Sequence, residues 1–201
     1  MKKRFMSTLM ILFLGTSLSV SAQFTKANVE HWPESAKKAA KAMTDKYGEP
    51  HQQTEDMLIW KDTEPFTHTI VYKEEIQHNF PMPHKDVLEQ VINYDVPVEK
   101  FSDLATYDGS VIVERTKGTM AARCDKEAAN LLALNLAHDI IQGTRTVDEA
   151  REMYAGVIMQ MLQGKEHGYL QKLTFGLPEE DLTSPDETIM DMSEVKRLKN
   201  K

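Results

Sequence analysis

The sequence predicts an α+β protein in which helices cover one face of an antiparallel sheet. The predicted elements follow the order helix, three strands, helix, two strands and two long helices. This order lacks the regular strand–helix alternation of a parallel α/β sheet. Short turn sequences separate neighbouring strands, which favours hairpins. The two long helices of the C-terminal half are joined by few residues, so we expect them to pack as antiparallel neighbours.

The first helix and the first hairpin have clear local signals. Apolar residues at helical spacing follow Pro33, which suits the first turn of a helix, and Gly48 ends the pattern. Residues 57–61 and 68–76 are rich in apolar, β-branched and aromatic residues and are separated by the turn sequence of residues 61–65. We therefore expect these two segments to pair as a hairpin.

The middle of the chain predicts three more strands and a short helix. The apolar residues of 87–96 fit both the helical spacing and the alternation of a strand, but Ile92, Tyr94 and Val96 favour a strand. A short helix is expected over residues 97–107. The expected strands over residues 110–114 and 119–124 would pair across a turn at Lys117 and Gly118.

The second half is predicted to be mainly helical. We expect Asp125 to cap a helix that ends at Gly143. Thr146 and Glu149 have the spacing of a capping box that opens the next helix. Residues 169–175 could form a last strand.

The chain is predicted to have three parts. Residues 1–22 combine a basic start, an apolar run and the small Ala22 before the expected cleavage point, as in a secretory signal peptide. Residues 23–177 are expected to form a single α+β globular domain, and residues 178–201 a polar, mobile C-terminal tail with a weak helix. Export predicts a periplasmic location by default, with secretion as the alternative.

Charge and cysteine content exclude several classes of partner. The formal net charge is −7 and becomes more negative when a leader with three basic residues is removed. Such a chain repels phosphate backbones, so nucleic acid is not an expected partner. No segment after the leader has the length and apolarity of a membrane span. We expect no cofactor. Cys124 is the only cysteine, so an internal disulfide is excluded.

The segment of residues 78–86 is the most unusual stretch of the chain. Two prolines stiffen it, and His78, Phe80 and Met82 alternate along it. His84 and Asp86 continue that alternation. We predict that these five residues contact a partner, because rigid loops with aromatic residues often do. One alternative is a copper-type metal site formed by His78, Met82 and His84. The other is a rigid connection with solvated histidines.

Catalytic candidates are few. The chain has no GxSxG, HExxH, CxxC or phosphate-binding glycine motif. His138 with a carboxylate such as Asp139 could form a general base, and Cys124 could be a nucleophile. The structural alternatives are that His138 lies near a helix C-terminus, where the helix dipole favours its cation, and that Cys124 is a small buried apolar residue.

One local pattern resembles a known family. A helix ending in Tyr47-Gly48-Glu49-Pro50, followed by strands that carry Trp60 and Tyr72, is similar to small exported binding modules of the β-lactamase-inhibitor-protein type. The pattern covers about a fifth of the chain and implies a likeness of fold, from which the two long C-terminal helices depart.

These features predict an exported, soluble, non-catalytic binding or interaction module of the bacterial cell envelope. Its expected partner is an envelope protein or a small ligand. The alternatives are a periplasmic hydrolase that uses His138 with a carboxylate, or Cys124, and a periplasmic metal-binding protein that uses His78, Met82 and His84.

Overall fold

The nine elements of the predicted order are present, and a two-residue strand is added between the first helix and the first hairpin. A computed structural model describes residues 29–200, so the expected signal peptide lies outside the described residues. The elements are α1 (Glu34–Tyr47), β1 (Gln52–Gln53), β2 (Met57–Thr63), β3 (Phe66–His78), β4 (His84–Asn93), α2 (Phe101–Tyr107), β5 (Val111–Glu114), β6 (Thr119–Cys124), α3 (Glu127–Ile141), α4 (Val147–Leu162) and α5 (Met192–Lys199). Short 3-10 helices occupy Val98–Lys100 and Gly168–Leu170.

The six strands form one antiparallel sheet in the order β1-β2-β3-β4-β6-β5. Side chains alternate between the two faces of a strand, and Leu88 and Ile92 of β4 therefore point to the same face. Leu88 packs with residues of α1, whereas Ile92 packs with residues of α3. Val91, which points to the other face, is only partly buried. The predicted α+β class, with helices on one face of an antiparallel sheet, is confirmed.

The core consists of two apolar clusters under the helices. The smaller cluster lies between α1 and strands β2 to β4, and Trp60 and Val71 are fully buried in it. The larger cluster joins α2, α3 and α4 to strands β4 to β6. Its fully buried members include Leu132 and Leu134 of α3, which is the most apolar of the long helices. Apolar burial on this scale is the main favourable term in folding.

A buried polar group on β4 connects α1 to α3. The Gln90 side-chain amide donates to Glu127 Oε2 over 2.8 Å, and the Tyr47 hydroxyl donates to the same oxygen over 2.6 Å. Asn130 donates to the Leu88 carbonyl oxygen over 3.0 Å and to Gln90 Oε1 over 3.2 Å. Because each of these bonds satisfies a polar atom away from water, they fix both helices against the sheet.

Several local expectations need correction. The strand expected at 87–96 is β4, which begins at His84 and ends at Asn93. Asp125 does not cap α3, since the N-cap position is Lys126 and no side chain caps that end. Residues 169–175 contain no strand; the 3-10 helix Gly168–Leu170 lies there instead.

The other helical predictions of the second half agree with the structure. The capping box is present, since Thr146 and Glu149 bond each other's backbone N–H groups. Helices α3 and α4 contact each other, as expected from the short connection. The C-terminal segment lies against the β5–β6 turn, where Ser184 donates its N–H to the Thr116 carbonyl oxygen over 3.2 Å. Among residues 29–200, no helix has both the length and the apolarity that a membrane span requires.

We predict that Asn130→Ala destabilises the protein by about 1–3 kcal/mol, because two buried acceptors would lose their donor. Urea denaturation measures this loss in the free energy of unfolding. Asn79→Ala, at an exposed position, is the control and should change that free energy by less than about 0.5 kcal/mol. Equal stability of both variants would contradict the role given to Asn130.

Candidate functional site

The β3–β4 hairpin brings two histidines and an aspartate together. His78 and His84 are cross-strand partners at the end of the hairpin, and their ring centroids are 4.9 Å apart. Asp86 follows His84 by two positions on β4, so both side chains lie on the same face of the sheet. Ligand atoms of the three side chains all lie within 4.8 Å of one another. The register of one hairpin thus creates the cluster.

Asp86 is the centre of this cluster. Its carboxylate is only 2 % exposed. The Ser110 hydroxyl donates to Oδ2 over 2.5 Å, and His78 Nδ1 lies 3.4 Å from the same oxygen. His84 Nε2 lies 3.0 Å from Oδ1. Burial alone would raise the pKa of Asp86, but the contacts with His84, Ser110 and His78 outweigh burial and hold that pKa below its usual value.

A second buried carboxylate, that of Asp108, lies next to His78 Nε2. Asp108 Oδ1 accepts the Ser110 N–H over 2.8 Å and lies 3.6 Å from His78 Nε2. Burial raises the pKa of Asp108. Two carboxylates and two imidazoles therefore share a small volume in which each buried negative charge needs a positive neighbour.

His84 supplies one of these positive charges. Its Nδ1 lies 2.8 Å from the Met82 carbonyl oxygen, and its Nε2 faces Asp86 and Cys124. The contact with Asp86, and after it the contact with Cys124, raises the pKa of His84 to about 11. The side chain is therefore an imidazolium at neutral pH in the metal-free protein.

Cys124 lies next to His84 without being activated by it. Its Sγ is 3.3 Å from His84 Nε2 and 3.5 Å from Asp125 Oδ1. Burial raises the pKa of the Cys124 thiol despite the neighbouring imidazolium. In a nucleophile–base–acid triad, the two nitrogens of the histidine face the nucleophile and the acid separately. Here a single nitrogen faces both Cys124 and Asp86, which differs from that arrangement.

A cavity of about 190 Å³ opens beside this cluster. One end is polar and reaches His84 and Cys124. The walls are mainly apolar and come from the β3–β4 turn, from α3 and from α4: Pro81, Met82, Pro83, Ala129, Tyr154, Ile158, Met161 and Leu162. Leu162 is 61 % exposed and lies at the surface of this cavity. A mainly apolar cavity with a few convergent polar groups is typical of a small-molecule site.

Phe80 anchors the turn that forms one side of the cavity. Its ring centroid lies 5.1 Å from that of Tyr154 and 6.4 Å, edge to face, from that of Tyr107. The Arg151 guanidinium lies 4.0 Å from the centroid of the Phe80 ring. These contacts join the turn to α2 and α4 through aromatic and cation–π interactions.

The other catalytic candidates lie apart from this cluster. His138 Nδ1 is 2.7 Å from the Tyr94 hydroxyl oxygen, and its ring stacks on Phe175 with a centroid distance of 4.1 Å. Burial lowers the pKa of His138. Asp139 instead pairs with Arg145 Nε over 2.9 Å and accepts a hydrogen bond from Tyr169. The two neighbours in sequence thus have separate sets of partners.

The structure brings together more residues than the sequence pattern indicated. The sequence predicts a rigid partner-contacting loop over residues 78–86, but His78 ends β3 and His84 begins β4, so only residues 79–83 form the turn. Asp108 and Ser110 were missed as members of the cluster. The alternation of His84 and Asp86 is the one local signal that these two side chains share a face of a strand.

Comparison with known proteins finds no matching family model, no matching curated protein and no matching solved structure. The functional argument therefore depends on the chemistry of the site. The predicted partner-contact residues His78, Phe80, Met82, His84 and Asp86 all belong to the hairpin end or the turn described above.

We predict that the metal-free protein loses stability as the pH rises between about pH 6.5 and pH 8.5. The pKa of His84 is about 11 when folded and is expected near 6.5 when unfolded. Its stabilising contribution is therefore complete below the unfolded value and declines as the pH rises toward the folded value. Asp86 and Cys124, which face His84 Nε2, add little slope here, because Asp86 is already ionised and the raised pKa of Cys124 lies above this range.

Urea denaturation at several pH values, in the presence of a chelator, measures this slope. His84→Gln keeps a side-chain N–H donor but cannot gain the proton, so we expect its stability to change less with pH than that of the wild type. Identical slopes for the two proteins would show that His84 does not carry the charge.

We also predict that Cys124 reacts slowly with a disulfide reagent such as DTNB. The thiol is 6 % exposed and its pKa is raised, so little thiolate is available. The rate in the folded protein should be at least about 100-fold below the rate in denaturant, because reaction requires local opening. A folded-state rate equal to the denatured rate would instead identify an accessible, activated thiol.

Proposed function

We propose that this chain is an exported, non-catalytic binding protein of the bacterial cell envelope, and that it holds a small, uncharged, mostly apolar molecule in the cavity beside the β3–β4 turn. The observation that carries the proposal is the cavity itself. Its walls are apolar, its polar end has few groups, and a rigid turn and two helices surround it.

The size of the cavity supports a small ligand. Its volume of about 190 Å³ exceeds that of an engineered cavity of roughly 150 Å³ that binds benzene in another protein. A ligand of one or two rings, or of comparable aliphatic size, fits this space. Larger molecules would have to extend past Leu162 into solvent.

The charges at the polar end favour an uncharged ligand. His84 pairs with the buried Asp86, and Lys126 Nζ lies 3.1 Å from Asp125 Oδ2. Each charged side chain that lines the cavity therefore has an opposite charge beside it, and none is left over for an ionic ligand. A ligand would gain most of its binding free energy from contact with apolar walls.

The hydrolase alternative has less support. His84 carries its proton at neutral pH, and the pKa of the Cys124 thiol is raised. A histidine that serves as general base must be neutral before it accepts a proton. His138 lies with Tyr94 and Phe175, away from the groups that line the cavity.

Saturation-transfer-difference NMR with indole and p-cresol as probes tests the proposal. We expect at least one of them to bind the wild type, and Leu162→Arg to weaken that binding by about tenfold or more, because it places a charge on the apolar wall. Met159→Arg is the matched control: Met159 is exposed on the same helix but does not line the cavity.

Two results would overturn the proposal. One is that neither probe binds and that native mass spectrometry of protein from its own host shows only the bare chain. The other is that the substitutions at Leu162 and Met159 reduce probe binding equally, which would place the binding surface elsewhere.

A further inference from the structure

We propose that His78, His84 and Asp86 bind one divalent transition-metal ion, and that their donor set suits zinc. The proposal does not depend on the apolar ligand, since it uses polar groups at one end of the cavity. It differs from the copper-type alternative because the buried Asp86 takes the place of the Met82 thioether.

The spacing of the donor atoms fits a tetrahedral ion. His84 Nε2 lies 3.0 Å from Asp86 Oδ1, and His78 Nδ1 lies 3.4 Å from Asp86 Oδ2. Zinc bonds of ~2.0–2.3 Å in a tetrahedron place neighbouring donors roughly 3.3–3.8 Å apart. Ligand atoms of the three side chains all lie within 4.8 Å of one another, so small side-chain rotations would bring them into coordination.

Asp86 has an oxygen available for an ion. Oδ1 is buried, and among residues 29–200 it accepts no hydrogen bond of regular geometry. Its contact with His84 Nε2 is therefore an ion pair whose geometry is poor for a hydrogen bond. A buried carboxylate oxygen without a good donor is costly, and a cation is the partner that would satisfy it best.

Neighbouring groups orient the candidate ligand atoms in the same way as the groups around known metal sites orient their ligands. The Ser110 hydroxyl donates to Asp86 Oδ2 and lies 3.0 Å from His78 Nδ1, whereas Asp86 Oδ1 accepts no hydrogen bond of regular geometry from the described residues. His84 Nδ1 lies 2.8 Å from the Met82 carbonyl oxygen, so Nε2 is the nitrogen that can bind a metal. Asp108 lies beside the second histidine, His78. Metal-binding histidines commonly direct their second nitrogen at a carbonyl or carboxylate in this way.

The charge balance also favours a divalent ion. Asp86 and Asp108 are two buried negative groups in one small volume. An ion of charge +2 compensates this negative charge, and both histidines can then be neutral ligands. Two imidazoles and one carboxylate, with a water in the fourth position, form a ligand set that zinc uses. Since His84 lines the open cavity, an ion can reach the cluster from solvent.

The test is a Zn²⁺ titration of the metal-free protein against a chromogenic chelator. We expect one ion per chain and a melting temperature that rises with zinc concentration. His84→Ala and Asp86→Asn should each weaken zinc binding by more than about 100-fold. His68→Ala is the control, because His68 is an exposed histidine of β3 outside the cluster, and it should bind zinc as the wild type does.

A spectroscopic measurement covers the case in which a variant fails to fold. Co²⁺ bound to the wild type should give visible d–d absorption that Cys124→Ser retains. The proposal is overturned if the folded wild type binds no stoichiometric zinc, or if stoichiometric Co²⁺ gives no such absorption. Zinc affinity should not change in Leu162→Arg, so failure of this proposal and failure of the apolar-ligand proposal are distinguishable.

Discussion

The buried carboxylate of Asp86 is the constraint on which the site depends. A carboxylate that is 2 % exposed must be paired with a positive charge and with hydrogen-bond donors, because its desolvation otherwise costs several kcal/mol. Ser110 supplies the donor, and His78 and His84 supply the imidazoles. These partners come from both strands of the β3–β4 hairpin and from Ser110, the residue before β5. The carboxylate therefore links three strands at one end of the sheet.

The same constraint explains why the cavity lies where it does. Because His84 is held by Asp86 and by the Met82 carbonyl oxygen, the turn between β3 and β4 has a fixed position above α4. Phe80 packs against Tyr154 and strengthens that position. The space left between the turn and the helix has polar groups at one end and apolar walls. One end of the sheet can thus offer both a charged donor cluster and an apolar site.

Local sequence signals were sufficient for most elements but not for the site. The helix that ends at Gly48 and the capping box at Thr146 are short-range patterns, and the structure has both. Residues 169–175 have strand-like composition, but their backbone bonds the amide of Asn135 instead of a neighbouring strand. The cluster depends on cross-strand register and on contacts between distant segments, such as that of Cys124 with His84, which no local pattern specifies.

The most direct test of this account is the protonation state of His84 in the metal-free protein. Long-range ¹H–¹⁵N NMR of the imidazole nitrogens at about pH 9 distinguishes an imidazolium from a neutral ring, and a free histidine is neutral at that pH. The account predicts that His84 still has both nitrogens protonated at that pH. A neutral His84 ring at that pH would mean that Asp86 is not balanced by this side chain, and would contradict the account.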